Sequence, residues 1–149
     1  MENIQDIAIQ VIDTEANSIL GLKNLLTDNF AKVVELILKS KGNVVVSGIG
    51  KSANIAQKIV ATLNSTGTTA VFMHAADAIH GDLGIIRDDD IVIIISKRGE
   101  TPEIKVLTPL IKIRKNKLVA IVGNTKSYLA AEADYVLDTT VPHEACPNN

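Results

Sequence analysis

The sequence predicts an α/β fold: a doubly wound, five-stranded parallel sheet behind an N-terminal helical hairpin. Three observations lead there. Five short, unbroken apolar runs, Val44–Val46, Ala70–Met73, Ile91–Ile95, Leu118–Val122 and Tyr135–Leu137, suit strands buried on both faces. Segments of helical period lie between them, and that alternation implies helices on both sides of a parallel layer. Residues 1 to 41 carry helical periodicity with no strand-like run among them. The expected topology class is therefore flavodoxin-like, in a single domain over 1–149, with helices over 1–41 and the α/β core over 42–149.

The elements follow in order. Ile4, Ile7, Ala8, Val11 and Ile12 recur at three- and four-residue spacing, continuing through Ala16, Ile19 and Leu20. A second helix carries Phe30, Val33, Val34, Ile37 and Leu38, with Thr27 or Asp28 as its cap. Lys39 and Lys41 fall in its last turn, with Gly42 as the stop. After the first strand, Ile55, Ala56, Ile59, Val60 and Leu63 mark a helix. Ile91–Ile95 is the most apolar run and is expected at the sheet centre. Ile104, Leu107, Leu110 and Ile111 mark the next helix, with Thr101 as cap, Pro102 in the first turn and Pro109 expected to bend it. The fifth strand is followed only by TTVPHEACPNN. The covering helix of a doubly wound sheet is missing there, so either a partner covers the apolar face or the chain is incomplete.

Composition narrows the function classes. At 149 residues the chain holds one domain, and a domain of this size buries roughly 68–70% of its unfolded surface without staples. Hydrophobic content of 46% and a mean hydropathy of +0.22 exclude disorder. A net charge of −2 and an aromatic content of 3% with no Trp give neither a basic footprint nor stacking platforms, so no nucleic-acid partner is expected. No apolar run approaches the roughly 20 residues of a membrane span, and MENIQD has no signal-peptide pattern. The single cysteine, Cys146, allows no internal disulfide and no multi-cysteine metal site. The reading is a cytoplasmic, soluble protein with no membrane partner.

Ligands of doubly wound sheets bind beyond the carboxyl ends of the strands. Three strand ends carry polar residues suited to an anion: those after the first and third strands, and a third group formed by His74 to Asp82 with His143 to Pro147. Ser47-Gly48-Ile49-Gly50-Lys51-Ser52 leads straight into a helix, whose free N–H groups and Lys51 favour negative charge. It is not a nucleotide P-loop, because Val45 stands where that motif needs glycine. Gly48-x-Gly50-x-x-Ala53 fits a loose dinucleotide fingerprint, but the second strand ends in Met73-His74 in place of an acidic residue. A plain glycine turn with a solvated Lys51 is the bland alternative. After the third strand, Ser96, Arg98, Gly99 and Thr101 would form a hydroxyl-lined cup suited to a phosphate monoester, against the alternative of an ordinary capped helix start. Glu103, one turn on, is either an acid–base group or a partner of the helix dipole. His80 and Glu144 are candidate acid–base partners; a structural role for His80 stands beside that, and more so for His74 and His143. Cys146 reads as a packed thiol ahead of a reactive one. No ligand spacing for zinc is present.

With both loops in view, the chain resembles the sugar isomerase (SIS) domain family, and within it most the arabinose-5-phosphate isomerases. The motifs are GIGKSANIAQKIVATLNSTGT from Gly48, HAADAIHGDLG from His74, ISKRGETPEI from Ile95 and HEACP at 143–147. The resemblance implies interconversion of D-ribulose 5-phosphate and D-arabinose 5-phosphate, feeding lipopolysaccharide sugar synthesis, with no metal or organic cofactor. It implies Lys51, Glu103, Glu144 and His80 as catalytic residues. Ser96 and Thr101 match its phosphate-loop hydroxyls, with Ser47, Gly48, Gly50, Ser52, Arg98 and Gly99 completing the substrate site. Arg98 departs from the small hydroxyl residue usual in the family. The family's continuation after EACP, a long helix with a further histidine, is missing, as is its tandem CBS module.

The residue types suit the chemistry. Aldose–ketose isomerisation removes a proton alpha to a carbonyl, passes through an enediolate and returns the proton to the neighbouring carbon. It needs a base, such as a carboxylate or imidazole, and a donor for the enediolate oxygen, for which Lys51 is the candidate. A cup holding the remote phosphate supplies binding energy and orientation. Two other readings remain: a non-catalytic sugar-phosphate-sensing module, and a different isomerase such as a 3-hexulose-6-phosphate isomerase. The resemblance also implies a homodimer or homotetramer, with the apolar N-terminal helices as the natural interface.

Overall fold

The computed structural model describes residues 3–146; Met1, Glu2 and the 147–149 stretch, which includes the proline of HEACP, lie outside the described residues. Asn3 caps the first helix by accepting Gln5 N–H at 3.1 Å, and α1 runs Ile4–Gly21 before a 3-10 turn, Leu22–Asn24. Thr27 Oγ1 accepts Asn29 N–H at 3.3 Å and opens α2, Asp28–Lys39, which settles the cap in favour of Thr27. The helix stops differently from expectation. Ser40 is extended and Lys41 lies beyond the helix. Gly42 is no left-handed terminator: a Cβ on it would strike the Asp89 carbonyl, so glycine is needed for close approach to the turn before the central strand.

The alternating segments then form β1 (Val44–Gly48), α3 (Lys51–Ser65), β2 (Ala70–His74), α4 (Ala75–Ala78), a 3-10 turn at Asp82–Ile85, β3 (Ile91–Ser96), α5 (Pro102–Arg114), β4 (Lys117–Val122), α6 (Tyr128–Glu132) and β5 (Tyr135–Asp138). All pairings are parallel and the order is β2-β1-β3-β4-β5, with β3 central as its apolarity predicted. The chain lays β2 on one side of β1 and β3 on the other, so the strand order reverses between β1 and β3. That reversal opens a crevice at their carboxyl ends.

Period two divides each strand between two cores. Val45, Val92, Ile94, Leu118, Ala120 and Val122 meet Ile104, Leu107 and Ile111 of α5 and Leu129 of α6. On the opposite face Val44, Val46, Ile91, Ile93 and Val119 meet Val33 of α2 and Ala56 of α3. Helix α5 continues through Pro109 to Arg114; Pro109 lies on its exposed side, where water can serve the carbonyl that loses its N–H partner. Helix α2 also covers part of β5, with Asn29 Nδ2 donating to Val136 O at 3.3 Å, and every β5 residue is half-buried. Helix α1, in contrast, buries no residue, and Ile4, Ile12 and Ile19 are each more than 60% exposed.

Asp134 ties β4 to the start of β5. Its carboxylate accepts Leu118 N–H and the Lys117 ammonium, each at 2.9 Å. Desolvation pushes this carboxyl up, but the Leu118 N–H and the Lys117 charge outweigh it and hold the group below the usual aspartate range. A group depressed in the folded state stabilises the protein above its unfolded pKa, and that contribution is lost as pH falls through the folded value. Asp134→Asn is therefore expected to be less stable than the parent at about pH 7, with the gap narrowing by about pH 3. Urea denaturation at the two pH values reads it; an equal gap at both would refute the link.

Candidate functional site

The crevice is walled on one side by the β1–α3 connection. Ser47 and Gly48, the last residues of β1, are buried. A Cβ on Gly48 would lie 2.9 Å from the Ser52 carbonyl, so only glycine lets α3 pass this close to the strand. Gly50, at φ +58°, turns the chain into α3, whose first residue is Lys51. Lys51 is exposed and makes no hydrogen bond or ion pair among the described residues; Ser52 is half-buried beside it. The Ser47 hydroxyl is sealed from solvent and has no hydrogen-bond partner.

The β3–α5 connection walls the other side. Ser96, 5% exposed, accepts Gly99 N–H at 3.1 Å, which curls the Lys97–Thr101 turn back on the strand end. Gly99 sits at φ +66° and is buried. Its N–H is thus engaged by Ser96 within the turn. Thr101 holds the N-cap position in extended conformation, but its hydroxyl caps nothing; Oγ1 is buried without a partner. With Pro102 lacking an N–H, the free donors at the start of α5 are those of Glu103 and Ile104. Arg98 is exposed beside the turn.

Two sealed, unpartnered hydroxyls therefore stand at the carboxyl end of β1 and at the start of α5, the two places that flank the reversal of strand order. A buried hydroxyl without a partner is costly, about 1–3 kcal/mol each, unless a ligand engages it. The chemistry offered is that of an anion cup: hydroxyl protons, helix N–H groups and a cation on a flexible stem.

The remaining candidates are less converged. Glu103 is half-buried in the first turn of α5. His80 is exposed in the turn after α4, where its N–H bonds the Asp77 carbonyl at 2.9 Å. His74 pairs in register with Gly48, and its buried Nδ1 lies 3.6 Å from Asp77 Oδ2, too far for a hydrogen bond. Glu144 is exposed and ion-paired with Lys97, which brings the chain's tail to the β3–α5 turn. That tail also meets α1, where Glu15, Ser18 and Ile19 border a cleft of about 370 Å³ with His143 and Glu144. Among the described residues no cluster of three or more His, Cys, Asp or Glu is placed to hold a metal, and no helix is long and apolar enough to cross a membrane.

Sequence reasoning missed what holds the turn. Gly123 N–H donates to Lys97 O at 3.0 Å and Leu129 N–H to Gly99 O at 3.1 Å, while Tyr128 N–H donates to Glu100 Oε1 at 2.6 Å. Ser127, 1% exposed, presses on Gly99, where any Cβ would collide with its side chain. The 123–129 segment carries no motif or periodicity in the sequence, and nothing in its spacing points across the sheet.

Residues 36–148 match the SIS domain family. A Haemophilus influenzae protein is 47% identical over 147 residues, 99% of this chain and 44% of that one. The Pseudomonas aeruginosa protein named arabinose 5-phosphate isomerase KdsD is 46% identical over 142 residues, 95% of this chain and 44% of its own length. Among solved structures, the Escherichia coli CFT073 protein c3406 in complex with arabinose 5-phosphate superposes with a TM-score of 0.85 at 34% identity, covering 98% of this chain and 79% of that one. A Listeria monocytogenes protein superposes at 0.93 with 36% identity, covering 97% and 76%. The chain spans less than half the length of the curated relatives it matches.

Proposed function

This chain belongs to the SIS domain family, and from that premise we propose that it binds a sugar phosphate in the β1–β3 crevice and interconverts D-ribulose 5-phosphate and D-arabinose 5-phosphate. The observation that carries the reading is the pair of buried, unpartnered hydroxyls of Ser47 and Thr101 on either side of the crevice. Relatives named arabinose 5-phosphate isomerase and a superposable structure holding arabinose 5-phosphate support the choice of sugar.

In this reading Ser47, Ser96 and Thr101 donate to the phosphate, joined by N–H groups of α5 and by Arg98. Gly48, Gly50, Ser52 and Gly99 shape the walls. From the ketose, a base removes a proton from C1, an enediolate forms across C1 and C2, and the proton returns to C2. Lys51 steadies the enediolate oxygen, and Glu103, Glu144 and His80 share the proton transfers, including ring opening of the cyclic aldose. The reaction is redox-neutral overall and requires no cofactor. The domain spans 1–149, acts in the cytoplasm in supply of lipopolysaccharide sugar synthesis, and assembles as a homodimer or homotetramer through the apolar stripe of α1 that its own fold leaves exposed.

The test is an isomerase assay on this chain and on any longer product of its reading frame, with calorimetry on arabinose 5-phosphate beside it. Turnover of ribulose 5-phosphate is the expected result. Binding without turnover would replace the enzyme by a sensing module. Turnover of 3-hexulose 6-phosphate in its place would reassign the substrate, and no binding of either sugar would overturn the reading.

A further inference from the structure

A carboxylate inside an anion-binding turn is out of place on charge alone. Glu100 stands between Gly99 and Thr101, where it would repel a phosphate dianion unless its oxygens were engaged elsewhere. They are. Oε1 accepts Tyr128 N–H at 2.6 Å, at the first residue of α6, and Oε2 pairs with Lys105 Nζ at 2.7 Å, one turn up α5. The Lys105 ammonium first, and the Tyr128 N–H second, hold this carboxyl below the usual range, so the group remains an ionised acceptor. The neighbouring backbone is tied to the same segment through Leu129 N–H to Gly99 O and Gly123 N–H to Lys97 O.

We propose that Glu100 is a positioning residue, clamping the Lys97–Thr101 turn to the amino end of α6 so that the 123–129 segment sets the shape of the cup without touching the ligand. Lys105 neutralises the clamp, so a negative group can serve beside an anion site. The ligand half of this inference rests on the sugar-phosphate reading above; the clamp half does not.

The sign of the effect separates a clamp from a surface ion pair. Removing a negative charge beside an anion should tighten binding if electrostatics alone acted. Glu100→Ala is expected instead to weaken arabinose 5-phosphate binding about tenfold, because a charged hydrogen bond that orders the turn is lost. Its KM should rise by a similar factor with kcat within about threefold. Glu100→Gln keeps the acceptor and is expected within about threefold of the parent. A second pair probes the donor: Tyr128 is the first helical residue after an extended Ser127 at ψ 161°, a position where proline fits. Tyr128→Pro deletes the N–H and should match Glu100→Ala, whereas Tyr128→Ala should match the parent. Ligand-free amide exchange at Leu129 should accelerate in Glu100→Ala and Tyr128→Pro alone. Equal or tighter binding by Glu100→Ala, Glu100→Gln as weak as Glu100→Ala, or unchanged Leu129 exchange would each overturn the clamp. If the parent fails to bind the sugar phosphate, the function reading fails while the exchange measurement still decides the clamp.

Discussion

Lys51→Met should lower isomerase turnover by about 10²–10³ while leaving the affinity for arabinose 5-phosphate within about threefold. The expectation follows from where the lysine stands. Gly50 turns the chain so that Lys51 opens α3 at the crevice, and the side chain has no partner among the described residues. A cation with no structural contact contributes little to folding, so its removal should not change stability. In the proposed reaction its worth would lie in meeting charge that develops at the enediolate, which acts on the transition state and spares the ground state. Lys51→Arg keeps the charge but replaces a compact ammonium by a planar fork, and should restore only part of the rate. Loss of binding with turnover per bound substrate preserved would move Lys51 out of catalysis and into the phosphate cup.

Gly99→Ala is expected to destabilise the fold by about 2–5 kcal/mol. At φ +66° a side chain costs about 1–2 kcal/mol, and forcing a methyl against buried Ser127 adds about 1–3 kcal/mol. Chemical denaturation of the variant checks the sum. A double variant separates the two parts: pairing Gly99→Ala with Ser127→Gly removes the collision but leaves the backbone cost, and also removes the α6 cap. The coupling between the two substitutions should therefore be favourable and of the size of the steric share. A Gly99→Ala protein within about 0.5 kcal/mol of the parent would contradict the geometry.

The layered architecture was legible because its signals are local. Ile91–Ile95 announced the central strand by apolarity, and Ser96 to Thr101 announced a turn before a helix by residue type. The SIS domain family, recognised on the Gly48–Gly50 and HGDLG motifs, was borne out by the match over 36–148. What stayed hidden depends on contacts between distant residues. Glu100 and Tyr128 are 28 positions apart, and Lys97 and Glu144 are 47 apart. Residue type could show that Thr101 opens a helix but not that its hydroxyl leaves the cap hydrogen bond unmade. Periodicity could show the helical spacing of the apolar residues of α1, yet none of them is buried among the described residues.

Helix α5 begins at the cup and lays one whole face against the sheet: Ile104, Leu107, Thr108 and Ile111 are all fully buried. The cup is therefore not a lid that can fray by itself. Peeling the amino end of α5 away from the sheet would drag those side chains into water, so backbone opening there requires much of the free energy of global unfolding. A ligand entering such a site meets walls already ordered and loses little affinity to fixing a loop.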